Sequence, residues 1–249
     1  MIEPLLLATT RISTFDGERI LTAATGFFFE RDARLHLVTS RHVLFDEPSD
    51  HRPSRIEFTL HTHPSNMSAV AQVGVPLYRD GVAVWRQARD SSGEVDVAVI
   101  PLDATAWPAG AVLHRFTPAH LLSSLNDVEV GAALLIPGFP LGFHDALHHL
   151  PVVRQACVAS SFGTRFQGLG MFLTDARTHR GSSGAPVVMR SARGTSSLPW
   201  LLLGVHSSRM DMRDRDMQAD ESLGLNCAWY ADILMTLTEP PGSASAHRG

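Results

Sequence analysis

Short apolar runs, separated by polar segments or by segments with glycine and proline, dominate the chain and predict β-strands. Ala, Pro, Ser and Asn are frequent in Asp103–Val130, which predicts a linker between two groups of strands. The first group comprises Leu21–Phe29, Leu35–Ser40, Ile56–Leu60, Val82–Trp85 and Val97–Leu102. The second comprises Ala132–Pro137, Val152–Ser161, Met171–Thr174, Ala185–Met189, Trp200–Ser207 and Leu223–Ala228.

Helical signals are few. Thr117 and Pro118 have the residue types of a helix cap and first turn, so a short helix is predicted over Thr117–Leu122 within the linker. A second helix is predicted over Trp229–Leu237, followed by a frayed tail at Glu239–Gly249. The strand spacing alone fits two barrels and a sandwich equally well.

Composition and charge exclude several classes of partner. The 249 residues carry a formal charge of −4, and no dense Lys/Arg cluster indicates nucleic-acid binding. Met1–Ala8 lacks the basic region of a signal peptide, and no apolar run approaches the roughly 20 residues that span a bilayer, so a cytoplasmic protein without a membrane contact is expected. Cys157 and Cys227 lie in apolar runs, which favours buried thiols over a disulfide.

Candidate chemistry is concentrated in three segments. Gly181–Pro186 reads GSSGAP ahead of an apolar run, which suits a serine nucleophile on a tight turn whose backbone N–H groups face one concavity. Upstream, His42 follows the strand-like Leu37–Thr39, and Asp96 precedes the run Val97–Leu102.

This order of His42, Asp96 and Ser183 resembles the trypsin/chymotrypsin-like serine peptidases, especially the bacterial branch that includes the high-temperature-requirement proteases. The stretches TGFFF, IPGFPLG, LGVHS and LGLNCA resemble flanking motifs of that family. The resemblance implies an all-β fold of two packed six-stranded antiparallel β-barrels with a short C-terminal helix. The peptidase domain would cover residues 1–236, with barrels at about 1–115 and 128–228, a helix at 229–237 and a disordered tail at 238–249.

The resemblance also implies roles for the site residues. His42 would accept the proton of Ser183, Asp96 would orient the imidazole, and the backbone N–H groups of Gly181 and Ser183 would form the oxyanion hole. The function implied is a cofactor-free, metal-free serine endopeptidase acting on polypeptides. Taken one at a time, His42 could equally cap the helical turn Val43–Phe45, and Asp96 could simply begin a strand.

Ser182 departs from the digestive members of the family. Those enzymes have an aspartate before the nucleophile that pairs with a newly cleaved N-terminus, and Ser182 cannot form that ion pair. Activation by N-terminal cleavage is therefore not expected, and the oxyanion loop is either preformed or ordered by substrate or by an activating protein partner. A catalytically silent binding module is the alternative to an active enzyme.

Four residues are expected to determine which substrate residue is accepted before the scissile bond, because they should line its pocket. They are Arg177, Thr178, His206 and Ser207. Thr178 and His206 match positions where glutamyl endopeptidases hold a substrate carboxylate, so a preference for acidic residues is predicted. The alternative is a neutral pocket that accepts small apolar residues.

The two densest histidine groups fall in loop-like segments with no completing set of cysteines or carboxylates, so solvated histidines are favoured over a metal site. These groups are His61 and His63, and His144, His148 and His149.

Overall fold

The computed structural model describes residues 2–103, 107–191, 197–209 and 224–240. Its first half forms an antiparallel sheet of seven strands in the order β5-β4-β1-β2-β3-β9-β8. These strands are β1 (Thr9–Asp16), β2 (Arg19–Arg31), β3 (Arg34–Thr39), β4 (Arg55–His61), β5 (Val70–Pro76), β8 (Arg86–Asp90) and β9 (Gly93–Pro101). Between β5 and β8, the hairpin of β6 (Tyr78–Arg79) and β7 (Val82–Ala83) pairs only with itself.

The second half forms an antiparallel sheet of six strands in the order β11-β10-β13-β14-β15-β12. An isolated bridge between Val158 and Thr174 joins the two edges of this sheet and closes it. The strands are β10 (Ala133–Gly138), β11 (Val152–Cys157), β12 (Met171–Thr174), β13 (Pro186–Arg190), β14 (Trp200–Arg209) and β15 (Asn226–Tyr230).

Helices are short and lie at the ends of the sheets. The α-helices are α1 (Pro4–Leu7), α2 (Arg41–Leu44) and α3 (Ile233–Leu237). The predicted linker helix is a 3-10 turn, Pro118–His120, in which the Thr117 hydroxyl and the His120 ring form a capping box.

Strand β2 explains why the apolar runs are continuous rather than alternating. Phe28 points into the core of the first sheet, whereas Phe27 and Phe29 point into a second core that also contains Val188 and Trp229 of the other sheet. Successive side chains of a strand face opposite sides, so a strand buried on both sides reads as an unbroken apolar run. The two barrels are therefore joined by a shared apolar interface.

The all-β fold of two barrels is confirmed, with corrections. The first sheet has seven strands rather than the six that the resemblance implies. The sequence did not predict β1 and β8, which carry many polar residues, or β5, whose apolar residues are interrupted by Gln72 and Gly74. Trp229 and Tyr230 continue β15, so the last helix begins at Ile233 rather than at 229. Thr238 is buried and its hydroxyl donates to the Leu234 carbonyl, so the predicted tail does not begin there. Residues 241–249 and Leu223 lie outside the described residues.

Candidate active site

The end of β3 and the start of β9 bring His42 and Asp96 together. Thr39, the last residue of β3, pairs with Ala98, so α2 begins beside β9 and its Val43 and Leu44 share a core with Ala98. Asp96 Oδ1 accepts the backbone N–H of His42 at 2.8 Å, and Asp96 Oδ2 lies 2.7 Å from His42 Nδ1. An ionised carboxylate only accepts, so Nδ1 carries the proton and Nε2 is left as an acceptor.

Opposing effects set the charges of this pair. Burial lowers the pKa of His42, but the hydrogen bond and negative charge of Asp96 outweigh burial and raise that pKa above 6.5. Burial likewise raises the pKa of Asp96, and the hydrogen bonds and charge of His42 together with the Ser207 hydroxyl bring the net pKa below its usual value. The pair therefore favours an ionised carboxylate and a basic imidazole.

Ser207 lies at the site in a different role from the one predicted. Its hydroxyl donates to Asp96 Oδ2 at 2.5 Å, so this side chain supports the carboxylate instead of facing a substrate. Its backbone carbonyl accepts the hydroxyl of Ser183 at 3.1 Å. Sequence reasoning missed this link because a hydroxyl on a strand gives no signal of its partner.

The Ser183 turn is held between the barrels. The Ser183 carbonyl accepts from Thr25 N at 3.0 Å, and Gly184 N donates to the His206 carbonyl at 2.7 Å. A Cβ atom at Gly184 would lie 2.3 Å from the Thr25 carbonyl oxygen, so this position requires glycine. Ser183 lines a cleft of about 870 Å³ together with His42 and Gly181, but no hydrogen bond joins it to His42 in the described part of the chain.

Two backbone N–H groups beside Ser183 are unengaged. Neither the N–H of Gly181 nor that of Ser183 has an acceptor among the described residues. The flanking carbonyls are occupied: Arg180 O accepts from Leu141 N at 2.5 Å, and Gly181 O accepts from the Thr25 hydroxyl at 2.7 Å. The two N–H groups predicted for an oxyanion hole thus remain available.

The predicted specificity residues divide into buried and exposed groups. Thr178 is buried and its hydroxyl donates to Asn226 Oδ1 at 2.5 Å. Asn226 Nδ2 in turn donates to the Ala176 carbonyl, which fixes the orientation of the amide. Arg177 is exposed. Asn226 was not predicted, since only its neighbours in space identify it.

His206 is fully enclosed and has no charge partner in the part of the chain that the structure describes. Its Nδ1 is buried with no hydrogen-bond partner in the described chain. Burial, and to a lesser degree the charge of His42, lowers the pKa of His206 to about 4. This ring is therefore neutral even in mildly acidic solution.

The histidines predicted to be solvated loop residues are a mixed group, because His61 ends β4 and is buried, whereas the ring of His148 is half-exposed and lies 2.7 Å from Asp145 Oδ2. His61 Nε2 lies 2.7 Å from the His148 carbonyl, and the rings of His144 and His149 are 6.3 Å apart. Across the described ranges, no cluster of three or more His, Cys, Asp or Glu has a geometry for a metal ion. Cys157 and Cys227 are not joined by a disulfide. None of the described helices is long and apolar enough to cross a membrane.

Two β-barrels with serine, histidine and aspartate gathered at their junction define the architecture of a trypsin-like serine peptidase. The sequence profile of the trypsin-like peptidase domain matches residues 24–194, well over half of the chain, and the chain belongs to this family. A search of curated proteins finds no match.

Solved structures agree on the fold. The crystal structure of the serine endoprotease from Yersinia pestis is similar to 93% of this chain, with a TM-score of 0.53 and 16% sequence identity. The match covers 61% of the Yersinia chain, so this chain spans less than two thirds of that protein's length.

Proposed function

We propose that this chain is an active serine endopeptidase in which Ser183 is the nucleophile, His42 the general base and Asp96 the group that orients it. The observation that carries the proposal is the commitment of His42 Nδ1–H to Asp96. This leaves Nε2 as a proton acceptor on a ring that lines the same cleft as Ser183. The raised pKa of His42 favours proton uptake during attack.

Catalysis begins with a rotation of one side chain. The Ser183 hydroxyl leaves the Ser207 carbonyl, turns to His42 Nε2 and transfers its proton as Oγ bonds to the substrate carbonyl carbon. The resulting oxyanion accepts from the N–H groups of Gly181 and Ser183, each worth about 3 kcal/mol of barrier. Collapse passes the proton from His42 to the leaving amine and leaves an ester on Ser183, which water hydrolyses by the same steps.

The edge of β2 supports a polypeptide as the substrate. β3 pairs with β2 only at residues 27–31, so within the described chain residues 20–24 have no strand partner on the edge away from β1, and these residues line the cleft. An extended peptide can add to such an edge through main-chain hydrogen bonds. The segment on the leaving-group side of the scissile bond would lie along this edge.

A catalytically silent binding module is the second candidate, and one observation favours it. The Ser183 hydroxyl is bonded to Ser207 rather than to His42. The open N–H groups of Gly181 and Ser183 weigh against it, because a collapsed oxyanion loop would fill them with a protein carbonyl. A hydroxyl rotation about one bond is also small beside the loop rearrangement that inactivity would require.

Labelling with a fluorophosphonate-rhodamine probe tests the choice. We expect the wild-type chain to be labelled on Ser183, with Ser183→Ala losing label and losing hydrolysis of fluorescein-labelled casein by about 10⁶-fold. Ser182→Ala is the matched control, since it removes the neighbouring hydroxyl, and it should still be labelled. No labelling of the folded wild type, or labelling that survives Ser183→Ala, contradicts the proposal.

The contacts of the predicted specificity residues favour uncharged substrate side chains. The Thr178 hydroxyl donates its proton to Asn226, and His206 is neutral, so the acidic preference predicted from the sequence loses the contacts with both residues. An arginine or lysine side chain would find no carboxylate among Arg177, Thr178 and His206. We therefore propose that small uncharged residues before the scissile bond are cleaved faster than acidic or basic ones.

A peptide library varied at the residue before the scissile bond checks this preference. Wild type should rank alanine, serine or valine peptides above glutamate and lysine peptides. The ranking between pH 5 and 7 should be unchanged, because His206 stays neutral there. A glutamate preference that grows toward pH 5 and disappears in His206→Gln would restore the carboxylate interpretation.

A further inference from the structure

The oxyanion loop lacks the usual charged tether, because Ser182 is uncharged, yet its donors are open. Gly181 lies between two peptide planes that are each held through the carbonyl oxygen. We propose that Thr25 is the positioning residue that holds this loop in its donor-outward state, in place of an ion pair. The inference rests on the proposed function and concerns the same site.

Thr25 is fully buried on β2 and uses every polar atom. Its N–H donates to the Ser183 carbonyl at 3.0 Å, and its carbonyl accepts the Thr39 hydroxyl at 2.8 Å. Its own hydroxyl accepts from Phe139 N at 3.1 Å and donates to Gly181 O at 2.7 Å. Because Phe139 N can only donate, the single hydroxyl proton is committed to Gly181.

The same hydroxyl couples the two loops that meet at the oxyanion hole. Bonding Phe139 fixes the start of the turn Pro140–Gly142, whose Leu141 N–H holds the Arg180 carbonyl. The carbonyl of Arg180 and the N–H of Gly181 belong to the same peptide group and point in opposite directions. Because the carbonyl points to Leu141, the Gly181 N–H points away from Leu141. Bonding Gly181 O fixes the next peptide plane.

The backbone at Gly181 is closely packed in its present orientation. Gly181 has φ +93°, and a Cβ there would lie 2.4 Å from the Phe139 carbonyl oxygen. Losing the Thr25 hydroxyl would leave Phe139 N and Gly181 O buried without partners, and the cheapest repair is rotation of these peptides. Such a rotation moves the Gly181 N–H away from the developing oxyanion.

The test compares Thr25→Val, which keeps the branched shape without the hydroxyl, with Thr25→Ser, which restores the hydroxyl alone. Thr25→Val should lower kcat on the best library peptide by roughly 10- to 100-fold, as expected for a misplaced donor, with KM changed less than about 2-fold. The rate constant for fluorophosphonate labelling should fall in the same proportion. Thr25→Ser should recover most of both rates.

Thr10→Val is the matched control for loss of a buried hydroxyl in the same sheet, since Thr10 bonds the Thr59 carbonyl on β4 and contacts neither loop. It should keep the wild-type kcat even if its melting temperature falls. If Thr25→Val lowers the melting temperature but keeps wild-type kcat, or if Thr25→Ser is as slow as Thr25→Val, the inference is overturned. A wild type that neither labels nor cleaves would instead overturn the proposed function, before Thr25 is examined.

Discussion

Each barrel places one histidine beside the Ser183 turn, and the two rings behave in opposite ways. His42, from the first barrel, has a carboxylate at 2.7 Å, and its pKa is raised. His206, from the second barrel, has no partner for Nδ1 in the described chain, and its pKa is lowered to about 4. Burial lowers the pKa of both rings, so the carboxylate of Asp96 is the main reason that His42 rather than His206 can act as a base.

The difference assigns distinct tasks to the two sides of the cleft. The first barrel supplies Asp96, which compensates positive charge on His42, and the Ser207 hydroxyl of the second barrel supports that carboxylate. Among the described residues, the second barrel supplies the proposed nucleophile, open N–H donors and the neutral ring of His206, and no carboxylate is bonded to that ring. A proton released by Ser183 therefore has one favourable destination, which is His42.

Asp96→Asn breaks this asymmetry and has the largest effect expected after loss of the nucleophile. An amide can donate to Nδ1 and thereby favour the tautomer whose Nε2 cannot accept, so kcat/KM should fall on the order of 10⁴-fold. The acid limb of the residual activity should also move to lower pH, because Asp96 is what raises the pKa of His42. A pH profile of kcat/KM measures both effects.

Glu94→Gln serves as the control for Asp96→Asn. Glu94 is two residues away on β9, and its exposed carboxylate pairs with the mostly buried Arg41 at 3.2 Å. Ion pairs with an exposed member contribute little, and Glu94 does not contact His42, so activity and its pH profile should stay close to wild-type values. A loss of less than 10-fold in Asp96→Asn, or an unmoved acid limb, would refute the division of tasks between the barrels.

The strands at the interface between the barrels could be predicted from the sequence, whereas β1, β5 and β8 were missed. The run at Phe27–Phe29 is apolar throughout because its members fill two cores, but β1 alternates apolar with polar residues and the apolar residues of β5 are interrupted by Gln72 and Gly74. His42, Asp96 and Ser183 could be proposed because each lies in or beside a strand, in a recognisable segment. The structure brings His42 and Asp96 into contact and places Ser183 in the same cleft.

The contacts that support these residues could not be predicted in the same way. Thr25, Asn226 and the Ser207 hydroxyl act through partners between 48 and 156 positions away in the sequence. A short polar side chain in a strand has no local pattern that reveals such a partner. Burial of His206 is a further example, since its low pKa depends on side chains that close around it only in the fold.

His206→Gln tests the comparison at the histidine of the second barrel. It should give the smallest of these effects, a change in how stability depends on pH rather than a change in the rate of hydrolysis. The unfolded chain protonates this imidazole near its ordinary pKa of 6.5, while the folded chain resists protonation down to about 4. The unfolded state therefore binds more protons between these values, and stability falls as pH drops through this window. From pH 7 to 5 the contribution of His206 to this loss of stability is about 2 kcal/mol.

Urea unfolding at the two pH values measures this contribution. The free energy of unfolding of His206→Gln should fall by about that much less than that of the wild type, whereas replacement of the exposed His63 by Gln should leave the wild-type decrease unchanged. An equal loss in wild type and His206→Gln would mean that His206 finds a charge partner in the fold, and the contrast between the two histidines would not hold.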